Sequence, residues 1–454
     1  MKVAVLGNMS QRLSAQIHLC KELLCIDPSL EFTFILNSKK DFEKFKFSLQ
    51  PFSYIVYDTN ESNEKSTKSG LDRKKINIKS LLKWVQYLSI YEIYSMGKIF
   101  LNLRKKNQWM KKNIESIQPD IAISNGDRHG ELEPAFLKQC NKSNIFIVVP
   151  YLTYSGSEGP LLTQIGRRLV DRSWRSPLIT HLLCFFMKGQ LYKKKYLFYN
   201  PSMILALKLF GTLSKNPWQM GCGKVNRICV DSQHTYNRYK KNGVPISKMR
   251  IIGDISTDEL YKSFKNKEEL RGEIIKKYSL DPSKKIMICA IPQLYEHDRL
   301  DIDSHWNEIY FLLESFCRNK HNVLLSLHPK MNREIYMHLE KKFPCRILDE
   351  KLMFVLPISD LFIADFSSTI IWATLSRVPS IIVDFYGYNY DVFNFLESVS
   401  IINEKAELES KINEVMKLKP DFSNDWKQLS RDDVFNGKTT ARYYEIIKEG
   451  ALKT

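Results

Sequence analysis

Three consecutive hydroxyl residues mark the first candidate site. Ser367, Ser368 and Thr369 follow an apolar run at 361–364 and precede a helix-like run at 370–376. Hydroxyl residues between a strand and a helix can cap free backbone N–H groups, and they can also direct those groups and their own hydroxyls at an anion. The pattern therefore predicts an anion site, with a plain helix N-cap as the alternative interpretation.

A histidine and a lysine follow a second apolar run in the same half of the chain. His328 and Lys330 come directly after the buried-strand candidate at 322–327. Ligands of open α/β sheets lie at the carboxyl ends of the strands, so we expect this pair at the same sheet edge as the hydroxyl residues. The alternative for His328 is a loop histidine that is hydrogen-bonded to backbone.

Charged residues follow a strand candidate in the first half of the chain. Gly126 permits a sharp turn after residues 121–124, which is expected to place Asp127 and Arg128 at the mouth of the sheet. A carboxylate there can accept a proton from a hydroxyl, and an arginine can hold a phosphate or a carboxylate. Glu158 is a second carboxylate, on a glycine-flanked loop. An Asp–Arg pair that merely closes a loop is the alternative.

The elements that position these residues follow an alternating pattern. Short β-branched runs alternate with longer amphipathic stretches, which predicts an α/β fold of parallel sheets wrapped by helices. The strand candidates are residues 2–6, 31–36, 54–57, 121–124, 145–149, 227–230, 249–252, 285–290, 322–327, 361–364 and 380–383.

A polar stretch rich in Lys and Glu divides the strands into two series. We predict an N-terminal Rossmann-like domain, a linker, a C-terminal domain and a final helix, at residues 1–262, 263–284, 285–426 and 427–454. Two regions interrupt the pattern of the first domain and are interpreted as helical insertions, at about 61–112 and 160–220.

The second insertion is strongly basic. The chain of 454 residues carries a net charge of +18, and residues 160–220 hold ten basic residues and one acid, a net charge of +9. Such a stretch suits a polyanion or the anionic inner face of a cell membrane, where aromatic residues such as Trp174 dip in and Lys193, Lys194 and Lys195 meet headgroups. Ordinary helices with solvated basic faces are the alternative.

Several classes of protein are disfavoured. The nine cysteines contain no CxxC pair and no zinc spacing, which indicates thiols in a reducing compartment and predicts no metal. No signal-peptide pattern and no apolar run of about 20 residues is present, so we expect a cytoplasmic protein, at most peripheral to the membrane. No recognised nucleic-acid-binding module is apparent.

Several segments resemble known enzymes of the GT-B superfamily. Residues 119–128 resemble the strand-and-loop motif of sugar-nucleotide 2-epimerases, and residues 242–258 and 435–442 resemble the segments that close their first domain and open their last helix. His328-Pro329 and Asp365-x-Ser-Ser resemble motifs of capsule-type glycosyltransferases, CDP-glycerol phosphotransferases and bacterial sialyl- or Kdo-transferases.

The resemblance implies an architecture and a role for each candidate. The fold would be two Rossmann-like domains facing a cleft, with a nucleotide sugar as substrate and neither a cofactor nor a bound metal. Asp127 would activate the acceptor hydroxyl as a base, with Arg128 and Glu158 shaping the sugar site. The donor phosphate would be bound by His328, Lys330, Ser367, Ser368 and Thr369.

Two departures favour one reaction over another. The epimerases carry a glutamate after the serine that holds the ribose, whereas this chain continues into Ile370, Ile371 and Trp372. Their His-Arg-x-Glu-Asn motif is replaced by residues 293–299, Gln-Leu-Tyr-Glu-His-Asp-Arg. We therefore predict a glycosyltransferase that builds a surface glycan or its lipid-linked precursor. The alternatives are a hydrolysing 2-epimerase, a glycerophosphotransferase-like enzyme and a non-catalytic membrane- or polyanion-binding protein.

Overall fold

A computed structural model divides the chain into two compact α/β units. Unit 1 comprises Met1–Ile255 and Thr440–Thr454, and unit 2 comprises Ser256–Thr439. The structure describes residues 1–7, 10–57, 89–128, 131–152, 188–191, 194–296, 299–318, 320–328, 331–387, 389, 391–418 and 420–453.

Unit 1 is built on a seven-stranded parallel sheet in the order β3-β2-β1-β4-β5-β8-β9. Two of its strands, Ile121–Ser124 and Arg227–Val230, are buried along their whole length, as expected for a parallel sheet covered on both faces. The strands are β1 (Lys2–Gly7), β2 (Glu31–Leu36), β3 (Ser53–Val56), β4 (Ile121–Ser124), β5 (Phe146–Val149), β8 (Arg227–Val230) and β9 (Met249–Ile251). An antiparallel hairpin of β6 (Lys188–Leu191) and β7 (Lys194–Leu197) precedes β8.

Helices cover both faces of this sheet and form two apolar cores with it. They are α1 (Ser10–Ile26), α2 (Lys39–Phe45), α3 (Ser89–Ile117), α4 (Glu133–Lys142), α5 (Pro201–Phe210) and α6 (Gln233–Lys241).

The described parts of the two predicted insertions pack on unit 1. Helix α3 buries Met110 and Ile114 in the core of the unit, and it also packs against α5 through Leu103 and Phe210. Phe210, an aromatic residue of the basic insertion at 160–220, is 2% exposed. It contributes to the protein interior. Residues 61–88, 160–187 and 192–193 of the insertions, which include Trp174 and Lys193, lie outside the described residues.

Unit 2 is built on a six-stranded parallel sheet in the order β12-β11-β10-β13-β14-β15. The strands are β10 (Ile286–Ala290), β11 (Asn322–Ser326), β12 (Cys345–Ile347), β13 (Leu361–Ala364), β14 (Ser380–Val383) and β15 (Val399–Ile402). The helices are α7 (Ser256–Lys265), α8 (Lys267–Lys277), α9 (Ile302–Arg318), α10 (Arg333–Tyr336), α11 (Leu339–Lys342), α12 (Leu352–Val355), α13 (Thr369–Leu375), α14 (Leu408–Lys417), α15 (Ser423–Leu429) and α16 (Arg431–Val434). The chain thus folds into two Rossmann-like α/β units, as predicted.

The boundary between the units differs from the predicted linker at 263–284. That stretch is occupied by the end of α7 and by α8, and Ile274 of α8 is 3% exposed, within unit 2. Lys and Glu form helices readily, so a polar stretch rich in them need not be a linker. The chain instead passes between the units at residues 255–256.

The last helix belongs to unit 1 rather than to the domain that precedes it. Helix α17 (Thr439–Ala451) buries Tyr443, Ile446 and Ile447 in the core formed with β1 and β4. The Arg442 Nε donates to the Ile252 carbonyl at 2.9 Å. The predicted C-terminal segment 427–454 is therefore divided, with its first part in unit 2.

Candidate functional site

Each sheet has one point where the direction of strand order reverses. In unit 1 the chain proceeds outward from β1 to β3 on one side and from β4 to β9 on the other; in unit 2 the reversal lies between β10 and β13. The loops at the carboxyl ends of two such neighbouring strands diverge and leave a crevice, where open α/β sheets bind ligands.

A pocket lies at the switch point of unit 1. It is small, with a cavity volume of about 10 Å³, and two of its lining residues, Arg12 and Asn125, follow β1 and β4. Most of the other lining side chains are apolar or aromatic: Pro150, Tyr151, Leu152, Met220, Cys229 and Tyr239. A cavity of this size has room for about one water molecule.

Arg12 and Asn125 join the two strands across the pocket. The Arg12 Nη1 donates to the Asn125 carbonyl oxygen at 2.6 Å. Asn125 is 1% exposed, and neither atom of its side-chain amide has a partner among the described residues. Burial lowers the pKa of Arg12, and Arg128 adds to this effect while Glu133 opposes it. Sequence reasoning named neither residue, although Asn125 lies within the quoted motif and Arg12 follows the first strand.

A buried acid, Asp231, is hydrogen-bonded to the pocket residue Tyr151. Asp231 follows β8, is 8% exposed, and accepts hydrogen bonds from Ser232 at 3.1 Å and from the Tyr151 hydroxyl. Burial raises the pKa of Asp231, against these hydrogen bonds. The backbone of Tyr151 is also held in place, because its N–H donates to the Tyr443 hydroxyl at 3.0 Å. The alternation of strand, Asp-Ser and helix at 227–241 is the sequence signal for this acid.

A histidine lies at the start of helix α6, beyond Asp231. Burial, followed by the charge of Arg238, lowers the pKa of His234 to about 4. His234 is therefore neutral at pH 7 and does not supply a positive charge to this edge of the sheet.

Asp127 lies inside unit 1 rather than at its surface. It is 2% exposed; its carboxylate accepts the Gly221 N–H at 3.1 Å on each oxygen and the Gly223 N–H at 2.6 Å. Burial raises its pKa, while the two glycine N–H groups lower it. The expected placement at the open mouth of the sheet is thus corrected: the carboxylate fastens the loop at 221–223 to β4. A carboxylate so engaged is better suited to positioning than to proton abstraction.

A glycine at position 223 of that loop is required by the contact. A Cβ on Gly223 would come within 2.6 Å of the Asp127 carbonyl oxygen and 2.7 Å of its Oδ2. Lys248 holds the same loop from outside, donating to the Gly223 carbonyl at 2.9 Å.

Arg128 is also bound to the protein. Its Nη1 donates to the carbonyls of Trp218 at 2.7 Å and Pro217 at 3.3 Å, and its guanidinium lies over the Phe198 ring at 5.7 Å. Tyr199 donates its hydroxyl to the Arg128 carbonyl. Neither Asp127 nor Arg128 lines the pocket.

The hydroxyl residues of unit 2 lie directly after β13, at the switch point. Ser367 Oγ and Thr369 Oγ1 are 2.8 Å apart and hydrogen-bonded. Ser368 is exposed and its side chain makes no cap bond to helix α13. The Thr369 N–H donates to the Ser367 Oγ at 3.4 Å, so the N-cap alternative finds support at Ser367 and none at Ser368.

His328 follows β11 and is exposed, and its backbone N–H lies 3.3 Å from the Met331 Sδ. One strand, β10, separates β11 from β13, so the ends of these two strands are roughly 10 Å apart. Lys330, like Glu158 of the first half, lies outside the described residues.

A buried polar chain that sequence reasoning did not find follows β10. The Tyr336 hydroxyl donates to Glu296 Oε1 at 2.8 Å and is 2.8 Å from the Nε2 of the fully buried His305. Burial lowers the pKa of His305. This chain of hydrogen bonds holds one carboxylate oxygen of Glu296 beside the switch point of unit 2. Its members lie on a loop and two helices, so no local motif identifies it.

Within the described residues, no group of His, Cys, Asp and Glu side chains is arranged to hold a metal ion. A search of the same residues finds no helix long and apolar enough to cross a membrane.

Comparison with known proteins bears on the fold. No protein-family model and no curated protein matches the chain. Among solved structures it is similar to the UDP-GlcNAc 2-epimerase from Neisseria meningitidis bound to UDP-GlcNAc, with a TM-score of 0.50 and 11% identity over 100% of both chains. It is also similar to a histidine variant of the wall teichoic acid polymerase TagF, with a TM-score of 0.50 and 12% identity over 100% of this chain and 89% of that one. The chain shares the two-unit α/β fold of these two structures.

Proposed function

We propose that the protein is a glycosyltransferase that moves a sugar from a nucleotide-activated donor to a glycan or lipid-linked acceptor. The observation that carries the proposal is the presence of two chemically different switch points, one in each unit. Unit 1 has a pocket with a guanidinium and a buried amide, and unit 2 has a loop of three hydroxyl residues, of which Ser368 is exposed. Two separate sites suit a reaction of two substrates.

The donor phosphate is assigned to unit 2. Ser367, Ser368 and Thr369 offer hydroxyls directly after β13, and the exposed His328 follows β11 of the same sheet. Lys330 belongs to this proposal through its place in the sequence. Donors aimed at the departing phosphate stabilise charge that develops in the transition state, which is usually the largest contribution to catalysis.

The acceptor is assigned to unit 1. Asp127 remains in the proposal, as a base or as a residue that positions the 221–223 loop, and its hydrogen bonds favour the second role. Arg128 and Glu158 stay assigned to the sugar site. A transferase is favoured over an epimerase because the hydroxyl residues lead into the buried Ile370 and then Ile371 and Trp372, with no acid to hold a ribose.

Nucleotide binding tests the donor assignment. Thermal-shift measurements with UDP, CMP, CDP and GDP should identify one that raises the apparent stability. In the double variant His328→Ala and Ser368→Ala, calorimetry should show binding of that nucleotide weakened by about 2–4 kcal/mol. Ser410→Ala, an exposed serine on helix α14, is the matched control and should bind as wild type. Unchanged binding in a folded double variant would contradict the assignment.

Transfer itself is tested by release of the nucleotide from its sugar conjugate. We expect release to depend on an added glycan or lipid-linked acceptor. Conversion of the sugar nucleotide without any acceptor would instead indicate an epimerase or a hydrolase.

Contact with an anionic membrane is proposed for the basic insertion at 160–220. Phe210 is in the protein interior, so the proposal now depends on charge, each Lys or Arg near such a surface contributing about 1 kcal/mol. In liposome flotation at low salt, wild type should float with anionic vesicles. Replacement of Lys193, Lys194 and Lys195 by Glu should abolish flotation. A wild type that stays in the soluble fraction would contradict the proposal.

A further inference from the structure

Helix α3 has two opposite faces of different character. Leu103, Met110 and Ile114 face the interior of unit 1 and are buried there. The opposite face is a row of exposed residues spaced alternately four and three apart, positions that lie one above the other on a helix. We call this row the α3 stripe, and its members are Tyr94, Lys98, Leu101, Lys105, Gln108 and Lys112.

The apolar side chains of the α3 stripe are largely open to solvent. Tyr94 is 71% and Leu101 is 60% exposed, and Ile93, next to Tyr94, is 56% exposed. A single exposed apolar residue is ordinary, but several along one helix and between basic residues form a pattern. Tyrosine, leucine and lysine together suit a membrane interface. The ring lies at headgroup level, the leucine reaches the acyl boundary, and the lysine stem lies on apolar surface while its ammonium meets phosphate.

The charge of helix α3 is strongly positive. Residues 89–117 contain six basic residues and two acids, a net charge of +4. Lys111 forms an ion pair with Glu115 at 3.5 Å. Lys98, Lys105 and Lys112 of the α3 stripe form none with any residue that the structure describes. These three ammonium groups are therefore available to an anionic partner.

A second basic group adjoins helix α3 at Arg104. The Lys138 Nζ donates to the Phe210 carbonyl at 2.8 Å, which joins helix α4 to the end of α5. Burial lowers the pKa of Lys138, and three like charges lower it further, those of Lys224, Arg104 and Lys142. Repulsion among like charges is unfavourable, and an anionic surface relieves it. The charge of this side of unit 1 is thus complementary to that of an anionic partner.

The shape and composition of the α3 stripe favour a lipid bilayer over a soluble polyanion. Tyr94 and Lys112 are 18 residues apart, so the stripe is about 27 Å long. A row of this length along one helix matches a flat surface. A soluble polyanion would be held by charge alone and would leave Tyr94 and Leu101 exposed, whereas a bilayer removes both from water.

We propose that the α3 stripe lies on an anionic lipid bilayer, with Tyr94 and Leu101 in the interface and the basic residues at the lipid phosphates. In naming a membrane as the partner, the inference rests on the proposed function, in which residues 160–220 meet such a surface. It assigns a contact to residues outside that insertion.

Vesicle flotation with the full chain tests the partner. Wild type should float at low salt with vesicles of equal parts phosphatidylcholine and phosphatidylglycerol, and it should not float with phosphatidylcholine alone. Binding should weaken as salt rises, because salt screens the charges. A wild type that stays in the soluble fraction would overturn the proposal. Binding to polyphosphate but not to the vesicles would identify a soluble polyanion and would also overturn it.

The apolar residues of the stripe distinguish insertion from attraction by charge. The double variant Tyr94→Ser and Leu101→Ser keeps the net charge, and its affinity for the anionic vesicles should fall about 10-fold or more. The matched control is Ile335→Ser with Leu418→Ser, at positions of unit 2 that are 53% and 60% exposed, and it should bind as wild type. Full affinity in the folded stripe variant would overturn the proposal.

The basic residues of the stripe are tested in the same way. Lys98→Gln with Lys105→Gln should weaken binding about 10-fold or more. The matched control, Lys262→Gln with Lys265→Gln on helix α7, changes the net charge equally and should bind nearly as wild type. Equal losses in the two double variants would show that overall charge carries the binding, and this would overturn the assignment to helix α3.

Replacement of Lys193, Lys194 and Lys195 by Glu separates this inference from the proposed contact of residues 160–220. If that variant loses flotation and the stripe variants keep it, the inference fails and the earlier proposal stands. If only the stripe variants lose it, the inference stands and the earlier proposal fails; loss in both supports both. Nucleotide affinity measured without vesicles should be unchanged in the stripe variants, so the donor assignment is tested independently. If wild type is an oligomer that Tyr94→Ser with Leu101→Ser converts to monomers in size-exclusion chromatography, the partner is a second copy and the proposal is overturned.

Discussion

The two sheets hold the polar side chains that follow their strands in different ways. In unit 1, Asp127 and Asp231 are 2% and 8% exposed, and their carboxylates accept hydrogen bonds from backbone N–H groups or from neighbouring side chains. In unit 2, Ser368 is exposed, and the hydroxyls of Ser367 and Thr369 bond to each other. The acids of unit 1 are fastened from within the domain, whereas the loop after β13 in unit 2 presents one hydroxyl, that of Ser368, to solvent.

This difference separates the two kinds of contribution that a polar residue makes. A buried, bonded carboxylate contributes to folding, so its replacement changes stability. An exposed hydroxyl contributes little to folding, so its replacement mainly changes what the protein binds. Substitutions in unit 1 should therefore be detected by unfolding, and those in unit 2 by ligand affinity.

Replacement of Asp127 by alanine should have the largest effect. It leaves the N–H groups of Gly221 and Gly223 buried without their acceptor, so the free energy of unfolding of unit 1 should fall by about 3–5 kcal/mol. Denaturant titration measures this loss. Glu115→Ala, an exposed acid on helix α3, is the control and should change it by less than about 0.5 kcal/mol.

Asp127→Asn distinguishes the two roles left open for this residue. A positioning residue should lose about 1–3 kcal/mol of stability, with kcat lowered less than about tenfold. A general base should instead lose roughly 10²–10⁴-fold in turnover at nearly unchanged stability. The second result would mean that the unit 1 edge is catalytic in itself.

Gly223→Ala should have the next largest effect. The added methyl group meets the backbone oxygen and the carboxylate of Asp127, so the free energy of unfolding should fall by about 1–3 kcal/mol. The matched control is Gly272→Ala, on helix α8 of unit 2, where a Cβ meets nothing within 4 Å. That substitution should stabilise the protein by up to about 1 kcal/mol. Equal effects at the two glycines would remove the contrast between the edges.

His234 should give unit 1 a dependence on pH. Its folded pKa of about 4 lies below the ordinary value of about 6.5, so on acidification the unfolded chain takes up the proton first. The neutral His234 ring therefore contributes its full share of the free energy of unfolding above about pH 6.5, and this contribution falls progressively toward pH 4. Relative to His234→Gln, wild type should lose about 1 kcal/mol over this range, allowing for solvent screening. Parallel stability curves would contradict this expectation.

Ser368→Ala should have the smallest effect on folding. Its hydroxyl makes no cap bond, so the free energy of unfolding should stay within about 0.5 kcal/mol of wild type. Nucleotide affinity measured by calorimetry should fall about 2- to 10-fold, the effect of one neutral hydrogen bond. A clear loss of stability would show that this loop is fastened like the edge of unit 1.

The strands were predictable because buried parallel strands are continuous apolar runs. All of the predicted strands are present, with ends that differ by at most one residue. The strands that were missed are the short edge strands β12 and β15 and the hairpin β6–β7. Edge strands carry weaker apolar patterns: β15 is only partly buried over three of its four residues.

The candidate site was less predictable because its contacts join distant parts of the chain. The surroundings of Asp127 depend on Gly221 and Gly223, more than ninety residues away. The contact between Arg12 and Asn125 depends on β1 and β4 being neighbours. Residue types at strand ends identify the edge where a site lies, but only the packing of the fold decides which of them are buried and bonded.

The return of helix α17 to unit 1 has a consequence for biosynthesis. Tyr443, Ile446 and Ile447 complete an apolar core that otherwise consists of residues from the first part of the chain, and the 184 residues of Ser256–Thr439 are translated in between. At about 5–20 residues per second the ribosome needs roughly 10–40 s for that interval. During this time all of unit 2, which is one continuous segment, is synthesised. The core of unit 1 still lacks helix α17 and is exposed on that side. Unit 2 can thus complete its folding before unit 1. We expect chaperones to bind nascent unit 1 rather than nascent unit 2.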